Sequence, residues 1–254
     1  MSTSDDDLLK ISFTPSTPLS MGLAVPPEPA SWNVPEWYKS LAKHLKSNSE
    51  KTLGVVNNIG SDGAAVATKQ CPPFLDAMTA GYHYVLEDDL HVDIDKETGK
   101  PILWWTSDQM ILDHRPTVEL PVPEGHHPIH YGFKMQWYYE TPPGYSVLIT
   151  HPMNRYDLPF TVQSGIVESD IWGLPVFIAF FLKQGFRGVI PKGTPIIHML
   201  PFKRDNWEME VLDTDDDRER HVFAAERRRT RIHGYYKWFA WRKKIYRGSE
   251  RRKK

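Results

Sequence analysis

The chain has 254 residues, 40% hydrophobic and 25% charged, with a net charge of −1. That is ordinary for a soluble globular protein and room for one sizeable domain with extensions or two small ones. A single cysteine, Cys71, excludes an internal disulfide and fits a reducing compartment. The acidic start "MSTSDDDLLK" lacks a secretory signal's pattern, and the most apolar run, "LPVFIAFFL" at 174–182, is too short to span a bilayer. These features predict a cytoplasmic protein with no membrane span.

In chain order, residues 1–31 read as an irregular Ser/Thr/Pro arm. "PEWYKSLAKHL" (35–45) places Pro35 at a helix start with Trp37, Tyr38, Leu41 and Leu45 at helical spacing, predicting a short amphipathic helix. Residues 46–69 are rich in turn formers without a period and predict a mobile loop. From 71 to about 212, Gly or Pro recurs every eight to twelve residues between apolar or alternating runs such as "YGFKMQWYYE" and "GYSVLITHP". This rhythm predicts a mostly β core, a barrel or sandwich, with 174–182 as a buried strand. "DTDDDRER" (213–220) breaks the pattern, and a helical extension, bent at Gly234, is expected beyond it. The implied organisation is an arm, helix and loop over 1–69, a core over 70–212 and a tail over 213–254.

The net charge hides an asymmetry. Residues 227–254 carry 13 Lys and Arg against one acid, Glu250, interleaved with Tyr235, Tyr236, Trp238, Phe239 and Trp241. Such a tail stacks on bases and phosphates, or packs its aromatics on protein while its charges stay solvated; packing is favoured, because exposed tryptophans are costly. "EGHHPIH" (124–130) offers three histidines but no recurring metal-ligand spacing, so it reads as a polar loop and no metal site is expected. Cys71, between Gln70 and two prolines, reads as a small packed hydrophobe.

The run "SGIVESDIWG" (164–173) sets Glu168 and Asp170 in a strand-like frame and reads either as part of a site or as a solvated hairpin. With three other segments it resembles the motif series of the dUTPase and dCTP deaminase superfamily. "TAGYHYVLEDDLHV" (79–92) is similar to the first motif, and "PPGYSVLITHPMNR" (142–155) to the strand leading into the phosphate-binding segment. "GIVESDIWG" (165–173) is similar to the third motif and "KGTPIIHMLPF" (192–202) to the last strand. The resemblance spans roughly residues 70–202 and implies a dUTPase-like β-clip core, a fold that often trimerises.

The residues in the motif positions depart from that family. His83 stands where the first motif has Asp, "HPM" replaces the phosphate-binding "RSG", and Ile171 replaces the ring-stacking Tyr. Glu168 takes the water-holding Asp position, and His198 replaces a Gln. The candidate catalytic groups are therefore Glu168 and Asp170. The candidate ligand-binding groups are His151, Asn154, Arg155, Asp157, Gln163 and His198, with Mg2+ as cofactor only if the ligand is a nucleoside triphosphate. Two functions follow. The favoured one is a non-catalytic scaffold or assembly protein forming homo-oligomers, preferably trimers, with a virion or nucleic-acid contact through 227–254. The other is a divergent nucleotide-binding protein or nucleotide hydrolase. Several segments, among them "CPPFLDAMTAGY" and "GTPIIHMLPFKR", also look like an uncharacterised family from tailed phages and bacteria, which makes a virion or host cytoplasm the expected setting.

Overall fold

A computed structural model of the chain describes residues 9–16, 25–42, 68–114, 120–211, 216–231 and Trp241. Fourteen strands are found among these residues, all pairings are antiparallel, and no sheet closes into a barrel. The expectation of a mostly β protein holds at that level. The chain forms two compact units, one of Met1–Val34 with Met78–Asp205 and one of Pro35–Ala77 with Asn206–Lys254.

In the first unit, the strands are β1 (Ser12–Pro15), β2 (Glu28–Pro29), β3 (Tyr82–Val85), β4 (Leu90–Ile94), β5 (Pro101–Trp104), β6 (Leu112–His114) and β7 (His126–Lys134). There follow β8 (Trp137–Glu140), β9 (Tyr145–Thr150), β10 (Phe160–Val162), β11 (Gly165–Val167), β12 (Phe177–Lys183), β13 (Gly188–Ile190) and β14 (Pro195–Lys203). They make a five-stranded sheet ordered β11-β9-β14-β3-β2, a four-stranded sheet β10-β12-β7-β6, a three-stranded sheet β13-β4-β5 and the pair β1-β8. The hydrophobic core draws on several sheets. Val147, Ile149, Ile197, Met199 and Tyr84 come from the five-stranded sheet, and Phe133, Phe160 and Phe180 from the four-stranded one. Phe133 and Phe180 stack with ring centroids 3.9 Å apart.

The four motif-like segments supply four neighbouring strands of the five-stranded sheet: β3, β9, β11 and β14. Gly81, just before β3, has φ +70°, and a Cβ there would collide with the Met199 carbonyl oxygen. The glycine of "AGY" thus permits β3 to close against β14, a reason rooted in backbone approach rather than in chemistry.

In the second unit, α1 (Glu36–Ser40) and α2 (Pro72–Thr79) lie within or begin in Pro35–Ala77. Helix α1 starts after Pro35 as expected but ends at Ser40, because Leu41 turns to ψ 138°. Helix α2 was not anticipated. Its signals were Pro72 and Pro73 in the first turn, where a missing N–H costs nothing, and Phe74, Leu75 and Met78 at helical spacing. Trp37 and Tyr38 of α1 pack on Phe74, the Tyr38 and Phe74 rings stacking at 6.1 Å. Cys71 is exposed rather than packed, since it precedes α2 and its carbonyl accepts the Phe74 N–H at 3.1 Å. A third helix, α3 (Asp216–Arg231), begins inside the acidic break. Trp241 donates its indole N–H to Asp76 Oδ1 at 3.1 Å, so this tail aromatic packs on protein. The 46–67 part of the expected loop, Gly234 and the tail residues Tyr235, Tyr236, Trp238 and Phe239 lie outside the described residues.

Two further expectations change. "EGHHPIH" is not a polar loop, because residues 126–130 open strand β7. The run 174–182 is buried only in its second half: Phe180, Phe181 and Leu182 face the interior, while Leu174 and Phe177 are exposed. No helix among the described residues is long and apolar enough to cross a membrane.

Candidate functional site

The register of the five-stranded sheet decides which candidate residues meet. On β14, His198 lies opposite Thr150 of β9 and His83 of β3. At the far end of the same strands, Lys203 lies opposite Tyr145. Those rungs are five residues apart along β9, roughly 17 Å at ~3.3 Å per residue. The candidates therefore fall into two groups at opposite ends of the sheet, not into one pocket.

The first group surrounds the turn after β9. His151 is fixed by two backbone groups: its Nε2–H donates to the Arg155 carbonyl at 3.1 Å, and its Nδ1 accepts the Val162 N–H at 3.4 Å. Asn154 takes φ 61°, a left-handed conformation that asparagine tolerates. Arg155 forks onto Asp157, with Nε to Oδ1 and Nη2 to Oδ2 both at 2.9 Å. His198 donates through Nε2 to the Ala80 carbonyl and accepts the Met153 N–H at Nδ1, 3.4 Å away. Hydrogen bonds of this kind hold the turn to the sheet and leave both imidazoles neutral. Burial lowers the pKa of each of His151 and His198 below the ordinary histidine value.

His83 completes this group. Its ring stands edge-on to His198 with centroids 4.6 Å apart. It is 2% exposed, and neither ring nitrogen has a partner among the described residues. Burial, with the nearby Arg155 charge adding to it, pushes its pKa down to about 3. Desolvation is the main cause, so the neutral ring is the stable form. Thr150 and Ser164 share a hydroxyl–hydroxyl bond of 2.7 Å on the neighbouring strands. Gln163, between β10 and β11, uses its backbone N–H on the Ala179 carbonyl at 2.8 Å.

The second group is a clamp. Asp170 sits in the turn after β11, its side chain 5% exposed. Its Oδ1 accepts Arg204 Nη1 at 2.8 Å, its Oδ2 accepts Arg204 Nη2, and the Gly144 N–H reaches Oδ2 at 2.7 Å. Arg204 also donates to Ser146 Oγ at 2.9 Å and to the Tyr145 carbonyl at 3.1 Å. The bonds from Arg204 hold the Asp170 carboxyl well below its usual value, at about 2. A carboxylate so occupied, with three hydrogen bonds from Arg204 and Gly144, closes the turn. Glu168 is exposed, and its carbonyl accepts the Ile171 and Trp172 N–H groups to form the turn. Beside these acids the segment shows Ile166, Ile171, Trp172 and Leu174 to solvent, Ile171 at 81%.

A third polar cluster was not anticipated. Glu87, buried after β3, is hydrogen-bonded by the Tyr84 hydroxyl, which in turn accepts the Gln136 N–H at 3.0 Å. Its Oε2 has no hydrogen-bond partner among the described residues. Burial raises the Glu87 pKa to about 7, against the opposing influence of Tyr84 and Lys192. Neither this cluster nor Arg204 had a legible signal, because both depend on which strands become neighbours. Among the described residues, no group of three or more His, Cys, Asp or Glu is arranged to hold a metal ion.

No protein-family model matches the chain, and no curated protein matches it.

Proposed function

We propose that this chain is a non-catalytic β scaffold whose work lies in protein–protein contacts. The observation that carries this reading is the Asp170–Arg204 clamp: one of the two acids of the third-motif-like run is spent on holding the ends of β9, β11 and β14 together. Hydrolysis of a nucleoside triphosphate requires cationic or backbone donors free to meet phosphates, and a water positioned by a nearby base. Here Arg155 is forked onto Asp157, the imidazoles of His151 and His198 are bonded to backbone, and Glu168 lies at the opposite end of the sheet from them. The same 164–174 run that resembles a catalytic motif instead presents apolar side chains, as an assembly surface does. A dUTPase-like β-clip ancestry fits this reading, since four motif-like segments supply neighbouring strands of one sheet, and so does a structural role in a phage particle.

A thermal-shift panel of (deoxy)nucleoside mono-, di- and triphosphates with Mg2+ tests the reading. No member is expected to move the midpoint; a saturable rise with one nucleotide would overturn it. Glu168→Ala, which removes an exposed turn side chain, is expected to change unfolding free energy by less than about 0.5 kcal/mol in a denaturant titration.

A further inference from the structure

The turn between β9 and β10, residues 152–157, has no regular secondary structure and carries Tyr156 at 79% exposure. Leu158, buried in the core, fixes its far end. Two imidazoles tie down the turn itself. The Met153 N–H reaches His198 Nδ1 at 3.4 Å, and the Arg155 carbonyl accepts the His151 Nε2–H at 3.1 Å. The Lys183 ammonium adds a bond to the Tyr156 carbonyl. Just beyond the turn, His151 Nδ1 accepts the Val162 N–H at 3.4 Å. Val162 belongs to β10, the edge strand of the four-stranded sheet, so this bond joins that edge to the end of β9.

These partners dictate where each imidazole carries its proton. A carbonyl oxygen only accepts, and a backbone N–H only donates. His151 Nε2 faces the Arg155 carbonyl and His198 Nε2 the Ala80 carbonyl, so both rings are protonated at Nε2. Each Nδ1 faces a backbone N–H and must be bare. A second proton can enter only at Nδ1, where it would meet that N–H head-on. Charging either ring and keeping its bond to Met153 or Val162 are therefore mutually exclusive.

The surroundings do not relieve this conflict. Arg155 and Lys183 oppose a charge on His151, and Asp157, which favours one, is forked by Arg155. Facing His198 are Thr150 on β9 and His83 on β3, neither of them an acid. Glu28, opposite His83 on β2, is engaged by Asn33 Nδ2 at 2.6 Å.

We propose that the turn 152–157 is a proton-operated latch, closed while His151 and His198 are neutral and released, with the sheets still in place, when acid protonates them. Release frees the Met153 and Val162 N–H groups and lets each Nδ1 take a proton from water. A histidine in the open turn titrates near its ordinary value of about 6.5, whereas the closed turn admits no second proton. Closure is thus fully favoured above that pH and weakens below it, by about tenfold per pH unit for each histidine coupled to the opening. The latch does not depend on whether the chain is a scaffold.

Amide hydrogen exchange of the full chain, followed by NMR at about pH 7.5 and about pH 5.5 with and without sub-denaturing urea, tests it. Protection of the Met153 and Val162 amides is expected to fall at least tenfold on acidification and to ignore urea, the mark of a local opening. The Ile149 and Met199 amides, inside the five-stranded sheet, are expected to stay at least tenfold better protected and to respond to urea. His151→Asn with His198→Asn keeps an acceptor near each Nδ1 position but cannot titrate; it is expected to reduce the acid-induced fall to less than threefold. Unchanged protection of Met153 and Val162, or urea-sensitive exchange at both, would overturn the proposal on wild type alone, whether or not the variant folds. A folded variant as pH-dependent as wild type would overturn it equally.

Discussion

Replacing Arg204 by leucine is expected to lower the thermal midpoint by about 5–10 °C at neutral pH, far more than an ordinary surface substitution. The reason is asymmetry. The variant leaves the nearly enclosed Asp170 carboxylate with the Gly144 N–H but without its cation, and it also deprives Ser146 Oγ and the Tyr145 carbonyl of a donor. Breaking one partner of such a pair costs more than the pair contributes, because a charge stays behind without compensation. The pH dependence gives a second reading. In wild type the Asp170 pKa lies at about 2, below the ordinary 3.8, so its contribution is present above pH 3.8 and is lost as pH falls toward 2. In Arg204→Leu that contribution is gone, so the gap between variant and wild type is expected to narrow as pH falls below 4. Asp170→Asn on top of Arg204→Leu is expected to recover part of the midpoint. Scanning calorimetry of the three proteins checks this, and a midpoint shift of only 1–2 °C for Arg204→Leu would reduce the clamp to a solvated surface pair.

Stability of the intact chain is expected to rise with pH between about 3 and 6.5, and His83→Phe to flatten that rise. A histidine whose folded pKa is about 3 binds no proton in the native state at pH 5, whereas the unfolded chain, near 6.5, does. The unfolded state then holds more protons, so stability increases with pH through that window and is fully present above 6.5. The His83 contribution is on the order of 4–5 kcal/mol. His151 and His198 are shifted in the same direction and add to it. Glu87 acts with the opposite sign. Its folded pKa of about 7 exceeds the ordinary 4.5, so the folded state holds the extra proton and stability falls as pH rises from 4.5 to 7, by on the order of 3 kcal/mol. Glu87→Gln is therefore expected to steepen the rise between pH 4.5 and 6.5. At pH 7 His83→Phe is expected to be neutral or stabilising, because it removes two buried nitrogens that have no partner among the described residues. Urea titrations at half-unit pH steps separate these cases; a wild-type-like slope in His83→Phe would assign the acid sensitivity elsewhere.

The strands around "YGFKMQWYYE" and "GYSVLITHP" were legible because apolar residues alternate along them between turn-forming glycines and prolines, which is local information. The four motif-like segments were legible as strands, since they carry both the period and the turn glycines that frame it, but their adjacency as β3, β9, β11 and β14 was not. Helix α2 escaped because its two prolines read as breakers when they occupy the first turn, the one place where a helix accepts them. The candidate site was legible as residue types but not as geometry. His151 and Asp170 lie close in sequence, yet β9 and β11 run antiparallel, and the hairpin carries one to each end of the sheet. Arg204 lies 34 residues beyond Asp170, and no local pattern announces an ion pair formed by sheet register.

Phosphate release from a panel of (deoxy)nucleoside triphosphates, measured on the full chain with Mg2+, tests the central claim most directly. The clamp and the separation of the acids from the imidazoles predict no release above the protein-free rate for any member. Release from one triphosphate that Glu168→Gln abolishes while the fold is retained would contradict it.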